Sequence, residues 1–147
     1  MKPIQEIVVP VDFDQHTDTL VEFAISMADL LSARLHFIHV SEPYEGYGTP
    51  LDSLAYQDIE KQIRAAAEEK MAQLIVESSE KNTSCTGKVV NGEVVDEIVA
   101  YTEEKNAGMI IIGTHGAKGP KKILLGNVAE RVVHRAPCPV LLFNPYR

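Results

Sequence analysis

Five short aliphatic and β-branched runs, separated by segments of helical period, constrain this chain more than any other feature. Ile7-Val8-Val9-Pro10-Val11, Arg34 to Val40, Ser84 to Val90, Met109 to Ile112 and Pro139 to Phe143 read as strands. Pro10 has no N–H to give a ladder, so the first strand should end or loosen there. Between the runs, Leu20, Phe23, Ala24, Met27, Ala28 and Leu31 recur at three- and four-residue steps, with Thr17 or Asp18 available to cap that helix. A longer helix after the Ser41 to Pro50 loop has the stripe Ile59, Ile63, Ala66, Ala67, Met71, Leu74 and Ile75. A third helix, opening at Asn91-Gly92, turns Val94, Val95, Ile98, Val99 and Thr102 inward, and a short fourth runs from Gly126 to His134. Such alternation folds into an open parallel five-stranded sheet between two helical layers, a three-layer α/β/α domain. No repeat or linker divides residues 1 to 147, so one domain is expected. Ligands of such sheets bind where the strand order reverses, at the carboxyl ends of the central strands. That directs attention to Pro10 to Gln15 and to Gly113 to Val128.

Charge supports the second of these segments. The chain has a net charge of -7, but residues 1 to 112 carry eight basic and twenty acidic side chains. In residues 113 to 147, Lys118, Lys121, Lys122, Arg131, Arg135 and Arg147 face Glu130 alone. The acidity argues against nucleic acid as a partner, while the basic last quarter suits a small anion. No apolar run reaches the ~18 residues of a membrane helix, and Met1-Lys2-Pro3-Ile4 lacks the apolar stretch of a signal peptide, so a cytoplasmic location without membrane insertion is expected.

Gly113-Thr114-His115-Gly116 follows the fourth strand directly, and Gly126-Asn127-Val128 opens the next helix. Glycines at a strand-to-helix turn let the backbone approach a phosphate and adopt positive φ, and helix N-terminal amides point at the anion. An ordinary tight turn with solvated lysines would account for the glycine spacing equally well.

With its neighbours, however, this segment resembles the universal stress proteins. Their nucleotide-binding members carry Gly, two residues, Gly, nine residues, Gly, then Ser or Thr, and Gly113, Gly116 and Gly126 keep that spacing. Val8-Val9-Pro10-Val11-Asp12-Phe13 is similar to the family's first strand and its acidic end. Leu125 to Val132 and Ala136-Pro137-Cys138-Pro139-Val140-Leu141 are similar to its closing helix and strand. The resemblance covers essentially the whole chain. It implies a Rossmann-like sheet of the adenine nucleotide α-hydrolase type, in the order 3-2-1-4-5, and an ATP-binding homodimer acting as a regulatory or stress-response module with an unidentified downstream protein. Asp12 would lie beside the adenosine, Pro10 and Val11 would line the crevice, and the backbone of Val40 would meet adenine. Thr114, His115, Lys118 and Gly119, with Gly113, Gly116, Gly126, Asn127 and Val128, would wrap ribose and phosphates. The dimer would form through Pro139 to Phe143, which that order leaves at an edge.

Two positions depart from the family pattern. Asn127 replaces the usual Ser or Thr, with a bulkier amide that still caps helices and donates to anions. Asp14 stands where the family often has Ser, and a carboxylate there calls for magnesium to bridge it to a phosphate. Asn127 thus motivates one alternative, a nucleotide-free interaction module, and Asp12 with Asp14 another, a slow magnesium-dependent ATPase. Turnover is not required, since no positioned base or metal cage stands out. A receiver domain is excluded: Lys88-Val89-Val90-Asn91 offers no phosphorylatable Asp, and no Lys ends the fifth strand. His36 and His39, three apart, face opposite sides of the sheet. His16 and His134 lack Cys or acidic partners at ligand spacing, and His115 reads as an exposed loop residue whose backbone matters. Cys85 and Cys138 read as packing residues rather than nucleophiles, and Met71 as core.

Overall fold

The structure, a computed structural model, describes residues 3–42, 53–81, 83–115 and 127–146. Five strands, β1 (Glu6–Pro10), β2 (Arg34–Ser41), β3 (Cys85–Asn91), β4 (Met109–Gly113) and β5 (Val140–Phe143), alternate with four helices, α1 (Thr17–Leu31), α2 (Ser53–Glu80), α3 (Val94–Glu104) and α4 (Asn127–Arg135). The strands form one sheet in the order β3-β2-β1-β4-β5, every neighbouring pair parallel. Ile7 lies beside Leu35 on one side and Met109 on the other.

β1 is apolar without alternation because both its faces are covered. Ile7 and Val9 pack with Leu35, Phe37 and Ile111 under α1 and α2, whereas Val8 packs with Ile38, Ile110 and Ile112 under α3 and α4. Pro10 ends the strand as its missing N–H requires, yet Val11 N–H still reaches Ile38 O at 2.9 Å. His36 and His39 do point to opposite faces. His36 meets Tyr101 of α3, and His39 meets Phe13 on the α1 side.

Three details differ from the sequence expectation. First, α1 is started neither by Thr17 nor by Asp18. Asp14 Oδ1 accepts from His16 N–H at 3.0 Å and from Thr17 Oγ1 at 3.2 Å, so the turn before the helix holds its first residues. Second, α3 opens at Val94, capped by Glu93, whose carboxylate accepts from Asp96 N–H at 2.6 Å; Asn91 still belongs to β3. The helix dipole and the free first-turn amides favour that carboxylate. Third, only part of the expected α2 stripe is core. Ala67, Met71 and Leu74 are buried, whereas Ile63 is 45% exposed and Ala66 is also exposed. A 28-residue helix is about 42 Å long, but the seven residues of β3 span only about 23 Å. The helix is longer than the strand it covers, and its buried residues Ala67, Met71, Leu74 and Ser78 all lie in its second half.

Where α2 does cover the sheet, it comes very close. A Cβ built on Gly87 of β3 would lie 2.5 Å from Met71 Sδ and 2.8 Å from Ile75 Cδ1. On the other face Val95 and Ile98 of α3 pack with Ala129 and Val132 of α4. Two ion pairs join these helices at the surface, Arg131 to Glu93 and Arg135 to Asp96, each at 2.6 Å.

Candidate functional site

The order β3-β2-β1-β4-β5 reverses between β1 and β4, because the chain steps outward to β2 and β3 on one side and to β5 on the other. In open parallel sheets the ligand crevice lies at such a reversal, outside the carboxyl ends of the two strands that flank it. Pro10, half-buried, is the last residue of β1; Val11 is buried and Asp12 is exposed. Across from them, Gly113 ends β4, followed by half-buried Thr114 and His115. Thr114 N–H donates to Phe143 O at 2.9 Å, which ties the start of this loop to β5. Val40, near the end of β2, is half-buried on the α3 and α4 face. Asn127, exposed, is the first residue of α4, and Val128 behind it packs on the same face. Gly116, Lys118, Gly119 and Gly126, with Lys121 and Lys122, lie outside the described residues.

Gly113 is not a positive-φ glycine: among the described residues Gly92 alone holds that conformation as a glycine. The expectation of a left-handed turn is thus corrected at this position. A Cβ there would stand 3.6 Å from His115 O and 3.9 Å from Phe143 O, ordinary contact distances. Packing would tolerate a side chain here, and what Gly113 supplies is a strand end without a Cβ.

The left-handed residue is instead on the other wall. Phe13, directly after Asp12, has φ of 57°, an uncommon conformation for a bulky side chain. Its ring lies on that of His39, centroids 4.9 Å apart, and His39 Nδ1 donates to Val11 O at 2.8 Å. Nothing in sequence spacing ties residue 39 to residues 11 and 13; only the β1 to β2 pairing brings them together.

A second grouping also escapes the sequence. His16, read above as without Cys or acidic partners at ligand spacing, and His115, read as an exposed loop residue, both meet Tyr146 edge-on at 5.0 and 4.9 Å, and the Tyr146 hydroxyl lies 3.1 Å from His16 Nε2. Asn144 Oδ1 accepts from Tyr146 N–H at 3.0 Å and folds the segment after β5 back toward the crevice. His115 Nδ1 is also 2.8 Å from Thr114 Oγ1, so its side chain is engaged.

The thiols stay in packing positions. Burial pushes the Cys138 thiol up, away from the thiolate that a nucleophile needs. Cys85 Sγ donates to Ile75 O at 3.6 Å. Among the described residues no three His, Cys, Asp or Glu side chains gather to hold a metal ion. Asp14 uses its Oδ1 in starting α1.

The universal stress protein family profile matches residues 3–144. The universal stress protein MJ0531 of Methanocaldococcus jannaschii is 30% identical over 138 residues, which span 94% of this chain and 81% of that protein. The solved structure of MJ0577, from the same organism, superposes with a TM-score of 0.86 at 24% identity, covering 97% of both chains. A universal stress protein from Archaeoglobus fulgidus in complex with dAMP superposes with a TM-score of 0.66 at 23% identity, covering 96% of this chain and 98% of that one. The structural likenesses establish the fold, and the profile match over nearly the whole sequence establishes the kinship: this chain belongs to the universal stress protein family.

Proposed function

We propose that the chain binds an adenine nucleotide, ATP in the first instance, in the crevice between the ends of β1 and β4, and acts as a dimeric regulatory or stress-response module in the cytoplasm. The observation that carries this reading is the pairing of two unlike walls at the point of order reversal. One wall presents Asp12 on an anchored turn. The other has the Cβ-free strand end at Gly113 and, later in the chain, the start of α4 at Asn127. A carboxylate suits ribose hydroxyls or an adenine amino group, and free amides at a helix start suit phosphates. The family member solved with dAMP supports the same class of ligand. Binding does not need turnover. Asp14 Oδ1 is engaged in starting α1, which weakens the case for a magnesium-dependent hydrolase resting on that residue.

Calorimetry on refolded, ligand-stripped protein with ATP, ADP, AMP and the guanine counterparts, with and without magnesium, tests the reading. Saturable binding of adenine nucleotides that Gly116→Val abolishes is the expected result. No binding of any adenine nucleotide would leave the nucleotide-free interaction module as the better account.

β5 is the strand at this edge of the sheet, with Leu142 41% exposed on it and Val133 43% exposed on the neighbouring α4. An apolar edge calls for a cover, and the same edge of a second copy offers one through an isologous contact. Sedimentation should give a dimer mass; a monomer mass independent of concentration would remove that part of the proposal.

A further inference from the structure

The β1 end poses a backbone problem. Ladder pairing with β2 stops at Pro10 beside Ile38, and the chain must then turn sharply into α1. Val11 N–H is satisfied by Ile38 O, but the Val11 carbonyl has left the ladder. A buried carbonyl needs a partner, and His39 supplies one through Nδ1–H at 2.8 Å. The same ring stacks at a tilt of 40° on Phe13, the residue held at positive φ. Asp12 thus lies between two residues that a single imidazole fixes, one through its carbonyl and one through its ring. Strained conformations persist only where the surroundings over-determine them, and they concentrate at binding sites.

We infer that His39 is a positioning residue for the nucleotide site: it holds the Val11-Asp12-Phe13 turn in its strained form and thereby aims Asp12 into the crevice. This inference rests on the nucleotide reading above for its functional consequence, though the anchor itself is a property of the free protein. His39 touches no ligand in this account. It acts through Asp12, which sets it apart from a residue that merely fills the core.

Two arms test it. In the nucleotide-free protein, NMR backbone shifts with the one-bond Cα–Hα coupling report the sign of the Phe13 φ. His39→Phe keeps an aromatic ring but removes the donor, and in it Phe13 should lose its positive φ. His39→Asn, whose amide nitrogen can stand near the place of Nδ1, should retain it. In the binding arm, His39→Phe should weaken ATP at least tenfold, Asp12→Ala should weaken it by a similar factor, and the double variant should be no weaker than Asp12→Ala alone. His39→Asn should stay within about threefold of wild type, which is about 0.65 kcal/mol. A positive φ preserved in His39→Phe, or losses that multiply in the double variant, would overturn the inference. Should His39→Phe fail to fold, the comparison of His39→Asn with His39→Ala decides between donor and bulk: equal affinities refute the anchor. Wild-type protein that binds no adenine nucleotide would defeat the nucleotide reading alone, and the coupling measurement would still decide whether His39 fixes the turn.

Discussion

Replacing Gly113 by Ala should move stability and ligand affinity in opposite directions. The residue closes β4 beside Phe143, and its φ is not positive, so an L side chain can adopt the backbone unstrained. The added Cβ would meet His115 O at 3.6 Å and Phe143 O at 3.9 Å, neither close enough to force movement. Alanine restricts the unfolded chain more than glycine does, and at a compatible site this stabilises by about 0.4–1 kcal/mol. For a chain of this size each kcal/mol is worth roughly 2–4 °C in Tm, so the ligand-free protein should melt about 1–4 °C higher. If the strand end is where the ribose or phosphates approach, the same methyl stands in their way, and a tenfold weaker Kd, about 1.4 kcal/mol, is the least expected. Differential scanning calorimetry of the stripped protein and titration with ATP read the two effects separately. A lower Tm would mean the glycine serves the fold. An unchanged ATP affinity, with wild type binding, would mean that ligand does not approach this strand end.

Gly87→Ala is the counterpart with the opposite outcome. Its Cβ would intrude on buried Met71 and on Ile75, so overpacking should cost about 1–3 kcal/mol in urea denaturation while ATP affinity stays unchanged; a neutral effect on stability would contradict the close approach of α2 to β3. A third prediction concerns acid. Burial alone would raise the Glu6 carboxyl, but the hydrogen bonds from His36 and Arg34 and the charges of both hold it below the ordinary carboxylate range. A lowered folded value contributes stability that is present above the unfolded pKa, roughly 4.3, and is lost as pH falls through the folded one. Glu6→Gln should therefore be less stable than wild type at pH 7, and the gap should begin to narrow near the unfolded value and close only once pH has fallen below the folded one. Urea midpoints differing by the same amount at both pH values would show that the carboxylate charge is not what matters.

Much of the architecture was legible because burial writes itself into composition. Val8 and Val9, or Ile110 and Ile111, are apolar at successive positions only because both faces of their strands are covered, and alternation of facing placed His36 and His39 on opposite sides. What the sequence could not carry were effects that depend on distance across the fold. The stripe on α2 looked continuous because periodicity reports how a helix could bury a face, not whether a sheet long enough lies beneath it; Ile63 and Ala66 are the cost of that difference. Asp14 and Glu93 start their helices from residues whose partners are local, yet Thr17, Asp18 and Asn91 were equally plausible caps by type. The candidate site divides in the same way. Its glycine spacing is a linear signal, whereas the His39 anchor depends on strand pairing, and Tyr146 reaches His16 across 130 positions of sequence.

The uneven charge takes a narrower meaning once partners are known. Arg131 and Arg135, two of the six basic residues in the last quarter, pair with Glu93 and Asp96 at the start of α3. Exposed pairs of this kind contribute about 0–1 kcal/mol each, so they do not hold α4 in place; Ala129 and Val132 against Val95 and Ile98 do that by burial. Their effect is on the field. Glu93 and Asp96 already complement the positive end of α3, and each arginine that closes onto them leaves less free positive charge on the flank of α4. Among the described residues, the attraction for an anion then falls to the positive end of the α4 dipole, about half a charge, which acts only within its first turn. Under the nucleotide binding proposed above, the phosphates would be the part of the ligand drawn to that end, and the base and sugar would depend on other contacts.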